Sequence, residues 1–214
     1  MWRSATSSSA GAVPGGARGI ARAARALRVA AAVLALVAVG RPQASATADA
    51  SRGRAPAQVL LTLEEALKLA FPGCEVEKRT VFLTREQVKR ASELAGEEIP
   101  SAIAYAYVAR KEGRLVGTAY FDAHRVRTLR ETLMVVVDPA QRVRRMELCA
   151  FAEPKEYAPR AAWYAQFTGR ELDDELNLKR GIRGIAGATL SARAATSAVR
   201  RLLAVHQVLQ KDNS

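Results

Sequence analysis

The chain has 214 residues, 49% hydrophobic and 25% charged, with 33 Lys and Arg against 21 acids and a formal net charge of +12. That content suits one ordinary globular domain once any targeting segment is set aside. Its two cysteines, Cys74 and Cys149, stand in neither a Cys-x-x-Cys-His nor a Cys-x-x-Cys pattern, which argues against covalent haem and against a thioredoxin-type dithiol.

The first 28 residues carry Arg3, Arg18, Arg22, Arg25 and Arg28 and no acid, and an aliphatic run of 11 residues follows from Val29 to Val39. Ala44-Ser45-Ala46 then supplies small residues for cleavage. This is the layout of a secretory signal peptide over residues 1–46, and it places the remainder in the periplasm or on the outer face of the cytoplasmic membrane. A short membrane anchor is the alternative, although a full span needs about 20 apolar residues. The six arginines of this segment account for half of the charge, which leaves +6 on the rest. A basic exported surface fits a redox partner or an anionic membrane surface better than nucleic acid, because no Arg/Lys run is interleaved with aromatics. Both cysteines fall in the exported part, where a disulfide is permitted, and the sequence leaves their pairing open.

Residues 47–58 read as a linker, and residues 59–210 as the folded domain. Thr62 caps a predicted helix over Leu63–Ala70, with Glu65 completing a capping box and Phe71-Pro72-Gly73 stopping it. A strand is predicted over Val76–Phe82. A second helix runs from Thr84 to Ala95, with Gln87 at capping-box spacing and Gly96 after its end. Ile103–Arg110 and Arg114–Phe121 form a hairpin around Lys111-Glu112-Gly113, and the stretch from Leu133 to Leu148 forms another around Asp138-Pro139. A loop-rich segment with Pro154 and Pro159 precedes a short helix around Ala161–Phe167, whose Trp163, Tyr164 and Phe167 read as core filling. Apolar residues at spacings of three and four, from Ala195 to Leu209, make one face of a last amphipathic helix over Ala192–Gln210, capped by Ser191. Hairpins flanked by helices indicate an α+β domain with antiparallel sheet. His124 and His206, the only histidines, lack companions at metal-ligand spacing and read as surface or helix-face residues.

The candidate functional segment is Ala186-Gly187-Ala188-Thr189-Leu190-Ser191. It sets an exposed hydroxyl at a helix N-terminus, where free N–H groups and the helix dipole favour an anion, and Gly187 and Ala188 leave room for one. The same residues also read as an ordinary loop and helix cap.

This run resembles the flavin-attachment motif of the FMN-binding domain family, roughly Asp-x-x-Ser/Thr-Gly-Ala-Thr-x-Ser/Thr. The family includes the C subunit of the sodium-pumping NADH:quinone reductase and the G subunit of the Rnf complex. Gly187, Ala188, Thr189 and Ser191 match, whereas Arg183 stands where the family has an acid and Ala186 where it has a small hydroxyl residue. The Asp-Pro hairpin, the turn Phe151-Ala152-Glu153-Pro154 and the segment Gln166-Phe167-Thr168-Gly169 are similar to family features in the same order, so the resemblance covers roughly residues 105 to 209. It implies FMN carried on Thr189 through a phosphoester installed by a flavin transferase. The implied cofactor-binding residues are Ala186, Gly187, Ala188, Thr189, Leu190, Ser191 and Glu153, with Glu153 near the ring.

The function so implied is an exported electron carrier working with a membrane or envelope redox partner. The absence of a Gly-x-Gly-x-x-Gly after a strand leaves no sign of a nicotinamide site, and no nucleophile-base pair suggests hydrolysis. The competing expectation is a cofactor-free module of the same fold, serving as a structural or sensory partner of an envelope complex.

Overall fold

The computed structural model describes residues 57–211. The segment read as signal peptide or anchor lies outside the described residues.

The first two helices begin where side chains cap them. Thr62 Oγ1 accepts the Glu65 N–H and the Glu65 carboxylate accepts the Thr62 N–H, which starts α1 (Leu63–Ala70). Thr84 and Gln87 repeat the arrangement for α2 (Arg85–Ala95), and Gly96 ends it at φ 75°, a left-handed conformation that costs a glycine little.

The strands are β1 (Gln58–Val59), β2 (Glu75–Phe82), β3 (Ile103–Lys111), β4 (Arg114–Arg125), β5 (Arg130–Val137) and β6 (Val143–Phe151), all antiparallel and ordered β1-β6-β5-β4-β3-β2. This is the α+β class with antiparallel sheet expected from the hairpin pattern. Glu112 and Gly113 both have positive φ between paired Lys111 and Arg114, the two-residue turn whose twist matches a hairpin.

Because successive side chains in a strand point to opposite faces, β5 fills two cores. Leu133, Val135 and Val137 turn toward the long helix α4 (Thr189–Lys211), where they pack with Ala195, Ala198, Val199 and Leu203. Met134 and Val136 face α1 and meet Ala66, Ala70 and Phe71. The short helix α3 (Ala161–Tyr164) and the 3-10 turn Ala165–Phe167 add Tyr164 and Phe167 to the α4 side, the core role read from the sequence. Arg200 binds α4 to its surroundings, donating from Nε to the carbonyl of Ala95 at 2.9 Å and from Nη1 to that of Asp173 at 2.7 Å. Cys74 and Cys149 are free thiols, and burial aided by the nearby Glu147 charge pushes Cys149 up to about 11.

Two expectations are corrected. The last helix begins at Thr189 rather than Ala192, because the Ala192 N–H reaches the Ala188 carbonyl at 3.1 Å. Ala188 therefore takes the cap position and Ser191 lies inside the first turn. His124 is neither a surface nor a helix-face residue, because it lies on β4 among polar partners, whereas His206 is on a helix face, the inward one of α4. His206 is buried and its Nδ1 shares a 2.9 Å hydrogen bond with the Tyr120 hydroxyl. His124 Nδ1 stands 2.7 Å from Asp122 Oδ1, and its Nε2 is 3.7 Å from the fully buried Glu131. Tyr164 donates to Glu131 at 2.9 Å, and Arg201 bridges Asp122 and Glu97, so a chain of charges crosses the α4 side of the sheet.

Candidate functional site at the start of the last helix

The loop before α4 is held from the α3 side. Trp163 Nε1 donates to the Arg183 carbonyl at 2.7 Å, and the Arg183 N–H donates to Gln166 Oε1 at 2.8 Å. The chain then turns at Gly187, whose φ of 78° places it in the left-handed region. A Cβ there would meet nothing within 4 Å, so backbone conformation and not crowding selects glycine. The Ala188 N–H bonds back to the Ile185 carbonyl at 3.1 Å, and the helix departs from Thr189.

Thr189 is exposed and lies where two clefts meet. The larger, about 560 Å³, is lined by Leu178, Ile185 and Ala186 with Lys179, Arg193 and Arg200 around them. Its size falls within the range of small-molecule sites, and its mixture of apolar floor and cationic rim suits a flat ring carrying an anionic tail. The smaller, about 210 Å³, is walled by Gly187, Ala188, Leu190 and Ser191 on one side and by Arg127 and Tyr157 on the other. Ala188 is buried, Leu190 is 46% exposed, and Ser191 is only 1% exposed, turning that remnant to this cleft. Six of the seven sequence-predicted residues are therefore together around one point.

Glu153 is the seventh, and its place differs from the ring environment implied by resemblance. It lines neither cleft. Its Oε1 accepts the N–H groups of Thr128 and Leu129, each at 2.8 Å, and the Thr128 hydroxyl at 3.3 Å. Burial works against its charge, but the amides of Leu129, Thr128 and Arg127 outweigh that and hold the carboxyl below its ordinary range. Glu153 thus fixes the turn between β4 and β5, and that turn carries Arg127 into the smaller cleft. The Arg127 guanidinium stands 5.4 Å over the Tyr157 ring, a cation-π contact that steadies it.

Arg127, Tyr157 and Lys179 were not among the residues singled out in the sequence. The signal available for Arg127 was the run Arg125-Val126-Arg127-Thr128-Leu129-Arg130, which holds three cations in six residues and no acid. What the assembled site offers chemically is a helix N-terminus, a hydroxyl at its first residue and guanidinium groups on both sides, which is a set of donors for a phosphate monoester. Comparison with protein families, with curated proteins and with solved structures finds no match to this chain.

Proposed function

We propose that the protein is an exported flavoprotein that holds FMN at Thr189, through a phosphoester to its hydroxyl, and passes electrons to a membrane or envelope redox partner. The observation that carries the reading is the position of Thr189, exposed at the first residue of a 23-residue helix with a cationic cleft on either side. The residues fit the group. Arg127 and the helix N-terminus would take the phosphate charge, Gly187 would let the backbone approach, and Leu178, Ile185 and Ala186 would line the ring's side. When bound, a flavin supplies one- and two-electron transfer that no side chain offers. The chain contributes binding, orientation and a local field of cations that favours negative charge nearby.

Co-production with a flavin transferase, followed by absorption spectroscopy and intact mass before and after acid denaturation, tests the reading. A flavin spectrum and a mass gain of one FMN less water, both lost in Thr189→Ala, are expected. Flavin released by acid would replace the covalent tether with bound cofactor. Arg183 at the family's acidic position favours a second reading, the cofactor-free module. A colourless protein of unmodified mass despite competent transferase and added FMN would establish that one instead.

A further inference from the structure

We infer that the rim around Thr189 is a docking surface for a partner protein presenting a carboxylate-rich face. The inference takes the partner's chemistry from charge and stands whether or not Thr189 carries a flavin. The segments 125–130, 153–160 and 177–193, which surround the two clefts, hold nine Lys and Arg and two acids. One of those acids, Glu153, is buried and committed to the Thr128 and Leu129 amides. Among the nine, Arg180 alone has an acid partner among the described residues, Asp174 at 3.5 Å, whereas several exposed cations away from this end are answered locally, as in Arg79 with Glu77, Arg90 with Glu93 and Arg142 with Glu171.

The last rung of the β4–β5 ladder sharpens the contrast. Arg125 is registered directly opposite Arg130, and both are exposed. Like charges facing each other across a strand pair destabilise it, and no acid among the described residues pairs with either arginine. A local rule broken without compensation in the free protein is expected where function supplies the compensation. An approaching carboxylate surface would do so for Arg125, Arg127 and Arg130 together.

The composition of the rim selects protein over bilayer. Seven of the nine cations are arginine, the basic residue that interfaces favour because its planar fork meets a carboxylate at two points. Leu190 is the one large apolar side chain exposed on these segments among the described residues, too little to enter lipid. The larger exposed apolar side chains, Phe82 and Tyr105, lie on β2 and β3.

The test is binding of the purified protein to polyglutamate and to an acidic ferredoxin, beside a basic cytochrome c, a DNA duplex and phosphatidylserine vesicles. Each is measured at about 20 mM and about 300 mM salt, where the screening length differs several-fold. Both acidic polypeptides are expected to bind and to lose about tenfold or more in affinity at the higher salt and in Arg125→Glu/Arg193→Glu. Lys89→Glu, a charge reversal of the same kind on exposed α2, is expected to bind unchanged. Arg125→Glu faces Arg130 and so creates an attractive pair, which keeps the fold intact for the measurement. Failure to bind the acidic polypeptides, an equal loss in Lys89→Glu, or preference for vesicles or duplex would overturn the inference. Flavin-free protein should give the same binding, so failure of cofactor loading is distinguishable from failure of docking.

Discussion

Trp163 Nε1 and the carbonyl oxygen of Arg183 are joined by a 2.7 Å hydrogen bond, so the indole of α3 holds the loop that leads to Thr189. Gln166 grips the same residue by its N–H. Trp163→Phe keeps the ring's packing against Phe167 but deletes the donor, and a net cost of about 1 kcal/mol is expected in urea denaturation. Gln166→Ala should cost a similar amount. In both, flavin loading should fall more than stability does, because the loop loosens while the core stays. Loading that follows the loss of stability in proportion would contradict a positioning role.

Glu153 acts on the site through Arg127. Glu153→Ala leaves the Thr128 and Leu129 amides without their acceptor and is expected to destabilise the protein by ~1–3 kcal/mol. Its functional signature is selective. FMN affinity should drop toward that of Arg127→Ala, while riboflavin, which lacks the phosphate, binds each variant as it binds the parent. Fluorescence titration with the two flavins decides the matter, since a contact to the ring would weaken both alike.

The two histidines give stability opposite dependences on pH. Burial pushes His124 down, but the hydrogen bonds and charges of Asp122 and Glu131 outweigh it and raise it to about 9. With the folded value above the unfolded one near 6.5, its contribution of roughly 3 kcal/mol is complete below pH 6.5 and is lost as pH rises through 9. His206 is driven the other way, to about 4, by burial against which the Asp138 charge is a small correction. A base that must stay neutral when folded loses stability as pH falls from 6.5 toward 4. Melting temperature should therefore peak near pH 6.5. His124→Gln should flatten the alkaline limb and His206→Gln the acid limb, and an unchanged profile in either variant would refute its assignment.

Replacing one member of the Arg125–Arg130 rung by an acid turns a repulsive cross-strand pair into an attractive one. Arg125→Glu should raise stability by about 0.2–1 kcal/mol at low salt, with the gain fading as salt screens the pair. Denaturation curves at two ionic strengths would show it. A loss of stability at low salt would mean that Arg125 makes a favourable interaction in the free protein.

The elements that could be read in advance are those built from local signals. Thr62 with Glu65 and Thr84 with Gln87 announce their helices by side-chain-to-backbone bonds that span three residues. The helix start at Thr189 was misplaced because Ser191 has the hydroxyl of a cap, whereas the Ala188 carbonyl sets the first helical bond and alanine leaves no mark of that in sequence. β4 runs past Phe121 to Arg125 and β5 starts at Arg130, before Leu133. These extensions are polar, so no apolar alternation betrays them. Asp122, His124 and Glu131 meet only when the hairpin folds, and their mutual charge pairing lets charged groups lie where apolar periodicity would be expected. The Thr189 segment could be singled out because its small residues are contiguous. Arg127 could not, since it reaches the cleft from a turn some 60 residues earlier in the chain.

The long helix also sets how the molecule can be held. Its 23 residues carry the chain from Thr189 to Lys211, a distance of about 33 Å at the usual helical rise. Gln58, by contrast, pairs with Phe151, two residues before Glu153, so the described chain joins the sheet at the end bearing the Arg127 turn. A protein grafted to an electrode or sensor through Lys211 would hold its cationic mouth a helix length from the support and facing the solution, whereas one grafted ahead of Gln58 would have that mouth shaded by the support.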